Sequence, residues 1–223
     1  MKNKVLVIGA DHHNTLGIVE SLGQKGLNSY VLIVGENINS FVLKSRYVIE
    51  GWVCSSPEQV VDEMLKHFSD TKNKAIVYSS YDNVSSVLDS SVQRLSPFFI
   101  LPVTNMPGSL ERKMRKEYMS ALAREVGLDV PRTWMVSDRE VPADIEFPCI
   151  TKAISSVEGS KKNIKICKRR EELEEFLTNS EHCPIIQIQK FIIKDFEFQF
   201  LGCSMDNGKH IIISGRTHLD RPN

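Results

Sequence analysis

Net charge is the first thing this chain lacks. Its 28 basic residues are matched by 28 acidic ones, leaving a formal charge of zero. A balanced chain has no cationic field to draw in nucleic acid or an anionic membrane surface. No apolar run approaches the ~20 residues that span a bilayer. The opening Met1-Lys2-Asn3-Lys4-Val5 runs straight into a strand pattern without a signal-peptide cleavage pattern. Cysteine is sparse: Cys54, Cys149, Cys167, Cys183 and Cys203 are scattered, with no CxxC pair. An odd number of cysteines in apolar surroundings argues against a disulfide frame and for reduced thiols in a cytoplasm. Nothing in their spacing supports a metal site or singles out a nucleophile. Glycine is missing where a dinucleotide fingerprint would need it. After Gly9 the next glycine is Gly17, so there is no G-x-G-x-x-G.

What is present is enough for a real core. Hydrophobic residues make up 41% and charged residues 25% of 223 positions, an ordinary composition for one large or two small domains. Lys4 to Gly9 is a continuous apolar run, which fits a central parallel strand covered on both faces. Asn14 or Thr15 can cap a helix running to about Lys25, with Gly26 at its end. Tyr30 to Val34 then reads as a second strand, completing a βαβ unit. Strand signals recur at Ser45 to Ile49, Ala75 to Ser79 and Phe98 to Leu101. Between them lie an amphipathic helix from Pro57 to Phe68, capped by Ser55 or Ser56, and a helix after Asn83 through Leu95. The first hundred residues therefore predict a doubly wound parallel sheet. Ligands in such sheets bind at the carboxyl ends of strands. That rule makes Asp11, His12 and Asn14, after the first strand, and Asp82, after Ala75 to Ser79, the candidate substrate contacts. The plainer readings are an exposed histidine pair at His12 and His13, and a helix cap at Asp82.

The second half reads differently. A basic helix over Leu110 to Val126 is stopped by Gly127 and Pro131. A strand over Thr133 to Val136 comes next. Cys149 to Ile154 and Ile164 to Cys167 then alternate as the two arms of a β-hairpin. The hairpin tip, Ser155-Ser156-Val157-Glu158-Gly159-Ser160-Lys161-Lys162, is hydroxyl-rich and cationic. Lys152 lies within the first arm, and the alternation is read as placing it on the face opposite Ile150. A lysine inside an apolar strand must reach solvent or meet an anion. A helix from Arg169 to Leu177 comes after the hairpin. Strands are expected at Ile185 to Ile192, Phe196 to Cys203 and His210 to Ser214, with Asn207-Gly208 as a hairpin turn. This half predicts an antiparallel sheet with a flanking helix, an α+β layer.

Taken in order, these segments resemble the ATP-grasp superfamily of ATP-dependent carboxylate–amine ligases, in its carbamoyl-phosphate-synthase-like and D-aspartate-ligase-like branch. The resemblance covers essentially the whole chain. Gly127-Leu128-Asp129-Val130-Pro131 matches the family's G-[ILV]-x-x-P turn, and Lys116 stands at the family's offset before it. Arg115-Lys116 replaces the commoner Asp-Lys. Phe147-Pro148-Cys149-Ile150-Thr151-Lys152 matches the second lysine motif, with Ala153 where proline is commoner. Ile186-Gln187-Ile188-Gln189-Lys190-Phe191-Ile192 matches the adenine hinge.

The resemblance implies that residues 1–104 are a pre-ATP-grasp, Rossmann-like domain. It implies that residues 105–223 are the first ATP-grasp subdomain, incomplete at its carboxyl end. By the same resemblance ATP is the cofactor. Lys116 and Lys152 contact its phosphates, and Ser156, Gly159 and Ser160 lie in the loop that closes over them. The Gln189 side chain and the Lys190 carbonyl meet the adenine amine, the Ile192 amide meets a ring nitrogen, and Glu197 holds the ribose. Gly159 is the only glycine in the loop. The family's magnesium carboxylates fall beyond residue 223, so Mg2+ is expected only with that further segment. No catalytic residue is assigned here, and the chain is expected to be inactive alone, as a truncated chain or one half of a split gene. The implied partners are small-molecule carboxylate and amine substrates, with no nucleic acid or membrane, and a homodimer is compatible with the pattern. The alternative reading is a non-catalytic α/β protein binding a nucleotide or nucleotide sugar at the loop from Asp11 to Asn14.

Overall fold

A computed structural model describes residues 3–103, 106–153, 164–180, 185–194, 196–205 and 209–219. These form two compact units, one running to Leu128 and the other starting at Asp129. The first unit holds five parallel strands: β1 (Val5–Ala10), β2 (Ser29–Val34), β3 (Val48–Cys54), β4 (Ala75–Ser79) and β5 (Phe99–Ile100). Their order is β3-β2-β1-β4-β5. Helices α1 (His13–Gly23), α2 (Gln59–His67), α3 (Asp82–Ser90) and α4 (Val92–Leu95) connect them. The unbroken apolar run of β1 is explained by its two covered faces. Val5 and Val7 pack with Val19 of α1, whereas Leu6 and Ile8 pack with Met64 of α2 and Leu88 of α3. The expected doubly wound sheet is the one that forms, with its switch point between β1 and β4.

Local details depart from expectation. Helix α1 is capped by His12, not by Asn14 or Thr15. His12 is extended (φ −141°, ψ 154°), and its Nδ1 accepts from the Asn14 amide at 3.2 Å. Thr15 cannot cap, because its buried hydroxyl donates to the Ala10 carbonyl at 2.7 Å and meets Ser80 Oγ at 2.8 Å. Helix α2 starts after Glu58 with no side-chain cap, and Gln59 Oε1 instead accepts from the Ser55 amide at 3.1 Å. Asp82 is the first residue of α3 rather than its cap, which is Tyr81.

The basic helix expected over Leu110 to Val126 is two helices, α5 (Ser109–Met114) and α6 (Lys116–Glu125). Arg115 between them is extended (φ −69°, ψ 128°). No glycine or proline marks this break. The buried Asp89 carboxylate of α3 accepts from the Leu110 amide at 2.8 Å and anchors the amino end of α5. Gly127, at φ 80°, carries the turn that ends α6.

The second unit contains β6 (Thr133–Val136), β7 (Cys149–Ala153), β8 (Ile166–Cys167), helix α7 (Arg170–Asn179) and β9 (Ile186–Lys190). The four strands form an antiparallel sheet in the order β6-β9-β7-β8. The expected hairpin arms do pair, Cys149 opposite Cys167 and Ile150 opposite Ile166. Its tip lies outside the described residues. Val136, Cys149, Cys167, Ile186 and Ile188 pack against Leu173 and Leu177 of α7. Strands β10 (Glu197–Met205) and β11 (His210–Leu219) make a separate two-stranded ribbon. The single antiparallel sheet read from the sequence is therefore two. The reason is that the chain leaves regular structure at residues 191–194, so β10 pairs with β11 instead of extending the larger sheet. Among the described residues no helix is long and apolar enough to cross a membrane.

Candidate functional site

In the second unit the sheet has one apolar and one polar face, set by the register. Directly opposed residues share a face, and alternate residues return to it. Ile188 opposes Trp134 and Thr151, on the side of α7. The other face carries Thr133 and Met135 of β6, Gln187 and Gln189 of β9, and Ile150 and Lys152 of β7. Lys152 thus shares a face with Ile150, contrary to the reading from sequence, because positions two apart on a strand point the same way.

A line of polar contacts crosses three strands on this face. The half-buried Lys152 Nζ donates to Gln189 Oε1 at 2.7 Å. Gln189 Nε2 donates to Thr133 Oγ1 at 3.2 Å, and Thr133 Oγ1 donates to the Pro131 carbonyl at 3.0 Å. Gln187, directly opposite Lys152 in the ladder, is 2% exposed, and its Oε1 has no hydrogen-bond partner among the described residues. The sequence reading singled out Lys152 and Gln189 but missed Thr133 and Gln187. The alternation Gln187-x-Gln189 was the available signal.

The hinge segment lies at the end of β9. The last ladder bonds run from the Lys190 amide to the Arg132 carbonyl and from the Phe191 amide to the Pro148 carbonyl, both at 2.9 Å. Beyond them Ile192 is exposed and outside any regular element. The Lys190 ammonium turns to the other face, where it meets Glu146 Oε2 at 2.7 Å. Arg132 joins the same cluster through Glu146 at 3.3 Å and through Asp144, and its guanidinium lies 5.0 Å from the Trp134 ring. Hydrogen bonds from Lys190 first and Arg132 second hold the Glu146 carboxyl below its ordinary range. A depressed carboxylate stabilises the fold above its unfolded pKa and loses that contribution as pH falls through the folded value.

The remaining candidates stand as follows. Lys116 opens α6 in the first unit, and Glu197 opens β10, opposite Leu219. The side chains of both lie outside what is described, as do Ser156, Gly159 and Ser160 entirely. The Asp11 carboxylate is engaged within its own unit, accepting from Ser40 Oγ at 2.5 Å and the Val42 amide at 3.4 Å. His12 and Asn14 are joined as cap and capped amide at the amino end of α1. Asp82 is exposed at the start of α3. An open groove beside α1 is lined by His13, Asn14, Gly17, Ile18, Tyr78 and Ser80. Among the described residues no group of three or more His, Cys, Asp or Glu could hold a metal ion.

Three of the described thiols are placed for packing. Cys54, Cys149 and Cys167 are buried and Cys203 is exposed. Burial pushes the Cys149 thiol up to about 12, with Cys167 opposite adding to it, and pushes Cys54 up to about 11. These groups are therefore protonated at neutral pH and poor nucleophiles. A thiol-specific disulfide reagent at pH 8 is expected to modify Cys203 promptly and Cys54, Cys149 and Cys167 only after unfolding. Mass mapping of modified peptides checks this, and prompt labelling of Cys149 would contradict it.

No protein-family model matches the sequence, and no curated protein matches it. Solved structures do match. L-amino acid ligase from Bacillus licheniformis shares 16% identity at a TM-score of 0.72, covering 98% of this chain and 51% of that one. N5-carboxyaminoimidazole synthetase from Staphylococcus aureus shares 10% at 0.72, covering 99% and 55%. N5-carboxyaminoimidazole synthase from Aspergillus clavatus, solved with ADP and 5-aminoimidazole ribonucleotide, shares 12% at 0.69, covering 100% and 55%. The chain thus shares an α/β fold with these neighbours and spans about half of their length. More particularly, the fold is that of the ATP-grasp ligases.

Proposed function

We propose that this chain is the ATP-binding part of an ATP-dependent carboxylate–amine ligase. The observation that carries the reading is Lys152. Its ammonium is half-buried within a strand, on the polar face of the sheet, on a fold shared with ligases of which one is solved with ADP. A cation in that setting is suited to an anionic ligand, because partial desolvation strengthens the attraction. In this reading Lys152 and Lys116 neutralise the phosphates. The backbone of Lys190 and Ile192 reads the purine edge, next to the point where the ladder ends. Glu197 holds the ribose, and Ser156, Gly159 and Ser160 cover the phosphates. In the complete enzyme a substrate carboxylate oxygen attacks the γ-phosphorus as the bond to ADP breaks. An amine then attacks the resulting acyl-phosphate carbon and expels phosphate. Such transfer rests on positioning and charge neutralisation. Mg2+, when bound, would supply part of that neutralisation. The same proposal makes it a cytoplasmic enzyme acting on small-molecule carboxylate and amine substrates.

Titration calorimetry of the wild-type chain with ATP, ADP and a sugar nucleotide tests it. Saturable binding of ATP or ADP in preference to the sugar nucleotide is expected. A thermal shift with a sugar nucleotide and none with ATP would instead favour the Asp11 to Asn14 loop as the site.

A further inference from the structure

Two thiols meet in the core of the second unit. Cys149 of β7 and Cys167 of β8 are directly opposed in the antiparallel ladder, and both are fully buried. Opposed residues in such a ladder have Cα atoms about 4.5–5.5 Å apart, and a disulfide spans Cα separations of about 4.4–6.8 Å. Opposed side chains also share a face, and these two touch, joined by a hydrogen bond between the thiols. Their surroundings are apolar: Val136, Ile186 and Ile188 of the sheet, and Leu173 and Leu177 of α7. A thiol pair and a disulfide are both neutral, so either form suits that core, and only a thiolate is excluded from it. Among the described residues no other two cysteines are paired. Cys54 lies opposite Val34 in the first unit, and Cys203 lies opposite Ile212 in the ribbon.

The structure assigns Cys149 and Cys167 as a latent disulfide site, which a low-molecular-weight disulfide of the glutathione class oxidises while the chain is open and which folding then seals. Strand β8 is two residues long and lies at the edge of its sheet, with β7 as its neighbour. Closing the bond therefore staples β8 to the strand beside it. The exchange proceeds in two displacements. In the open chain the Cys149 thiol loses its proton to solvent, and its sulfur attacks one sulfur of glutathione disulfide, expelling a glutathione thiolate. The Cys167 thiolate then attacks Cys149 Sγ and expels the second glutathione thiolate. Two cysteine thiols are oxidised, one glutathione disulfide is reduced, and the two protons released return to the two leaving thiolates. Burial protects either form after folding, in keeping with the slow labelling expected of both thiols above. None of this depends on the nucleotide-binding reading.

The test uses the wild-type chain, unfolded in urea with a fixed mixture of reduced and oxidised glutathione. One half stays in urea, and the other is refolded by dilution into the same mixture. Both are quenched with acid, alkylated and mapped as non-reduced peptides by mass spectrometry. The expected result is a dominant Cys149–Cys167 disulfide in refolded protein of native circular dichroism. Its formation constant should exceed that in urea by about tenfold or more, because the fold holds the two sulfurs together. A constant no larger after refolding than in urea would overturn the assignment. So would a dominant disulfide to Cys54, Cys183 or Cys203. Should dilution not restore the fold, folded protein is held in the same mixture with enough urea to open it transiently. A Cys149–Cys167 yield no higher there than in full urea overturns the assignment equally.

Discussion

Replacing Lys152 with alanine is expected to weaken ATP binding by roughly 10- to 100-fold, the loss of charge-assisted hydrogen bonds of about 1.5–3 kcal/mol. The fold should tolerate the change. Lys152 is half-buried, so water can reach the Gln189 Oε1 that loses its donor at 2.7 Å. The Thr133–Gln189 bond at 3.2 Å is still made without the lysine. The ladder on either side of position 152 is backbone pairing and does not depend on the side chain. Binding and folding should therefore separate: calorimetry shows the affinity loss, while the urea unfolding midpoint moves little. Equal ATP affinities in wild type and Lys152→Ala would remove the main support for the proposed function. Lys152→Arg is the informative partner variant. It keeps the charge but replaces a compact ammonium with a planar fork that cannot sit in the same way on one carboxamide oxygen.

The second large effect concerns two glycines on one helix. Gly17 and Gly23 both lie in α1, and helix propensity alone predicts that alanine at either would stabilise by up to about 1 kcal/mol. The surroundings of the two sites reverse that for one of them. A Cβ at Gly17 meets nothing within 4 Å. A Cβ at buried Gly23 falls 2.1 Å from Tyr47 Cγ, 2.4 Å from its Cδ1 and 2.5 Å from its Cβ. Those atoms are the root of the aromatic side chain, not a tip that can swing away, and Tyr47 packs on the Val5, Val7 and Val19 cluster. Overpacking of this kind costs about 1–3 kcal/mol or more and should outweigh the propensity gain. Gly23→Ala is thus expected to destabilise the first unit by about 2 kcal/mol, and Gly17→Ala to leave it unchanged or slightly firmer. Urea unfolding followed by far-ultraviolet circular dichroism distinguishes them. A stabilised Gly23→Ala would show that α1 and the segment around Tyr47 are packed less closely than described.

Much of the first unit was legible because its signals are local. Lys4 to Gly9 and Ala75 to Ser79 read as buried strands because both faces of a central parallel strand are covered, which removes the alternation and leaves an apolar run. Caps and breaks were less legible, because they depend on where hydroxyls and carboxylates from elsewhere arrive. Thr15 is a good cap by type, but Ala10 and Ser80 claim its hydroxyl. The break at Arg115 follows from no residue near it, while Asp89 anchors the segment just before it from another helix.

The candidate site divides along the same line. Lys152, Gln189, Lys190 and Ile192 could be picked out because their motifs are contiguous stretches of chain. The sequence by itself determined the order of elements, the parallel character of the first sheet, and the residue types available on β7 and β9. Tertiary structure alone decided that Lys152 meets Gln189, that Thr133 orients that carboxamide, and that the last two strands stand apart from the four-stranded sheet. The physical reason is register. A strand's own pattern says which residues share a face, but only its pairing says which partner's side chain lies opposite, and positions 133, 152 and 189 become neighbours through that pairing.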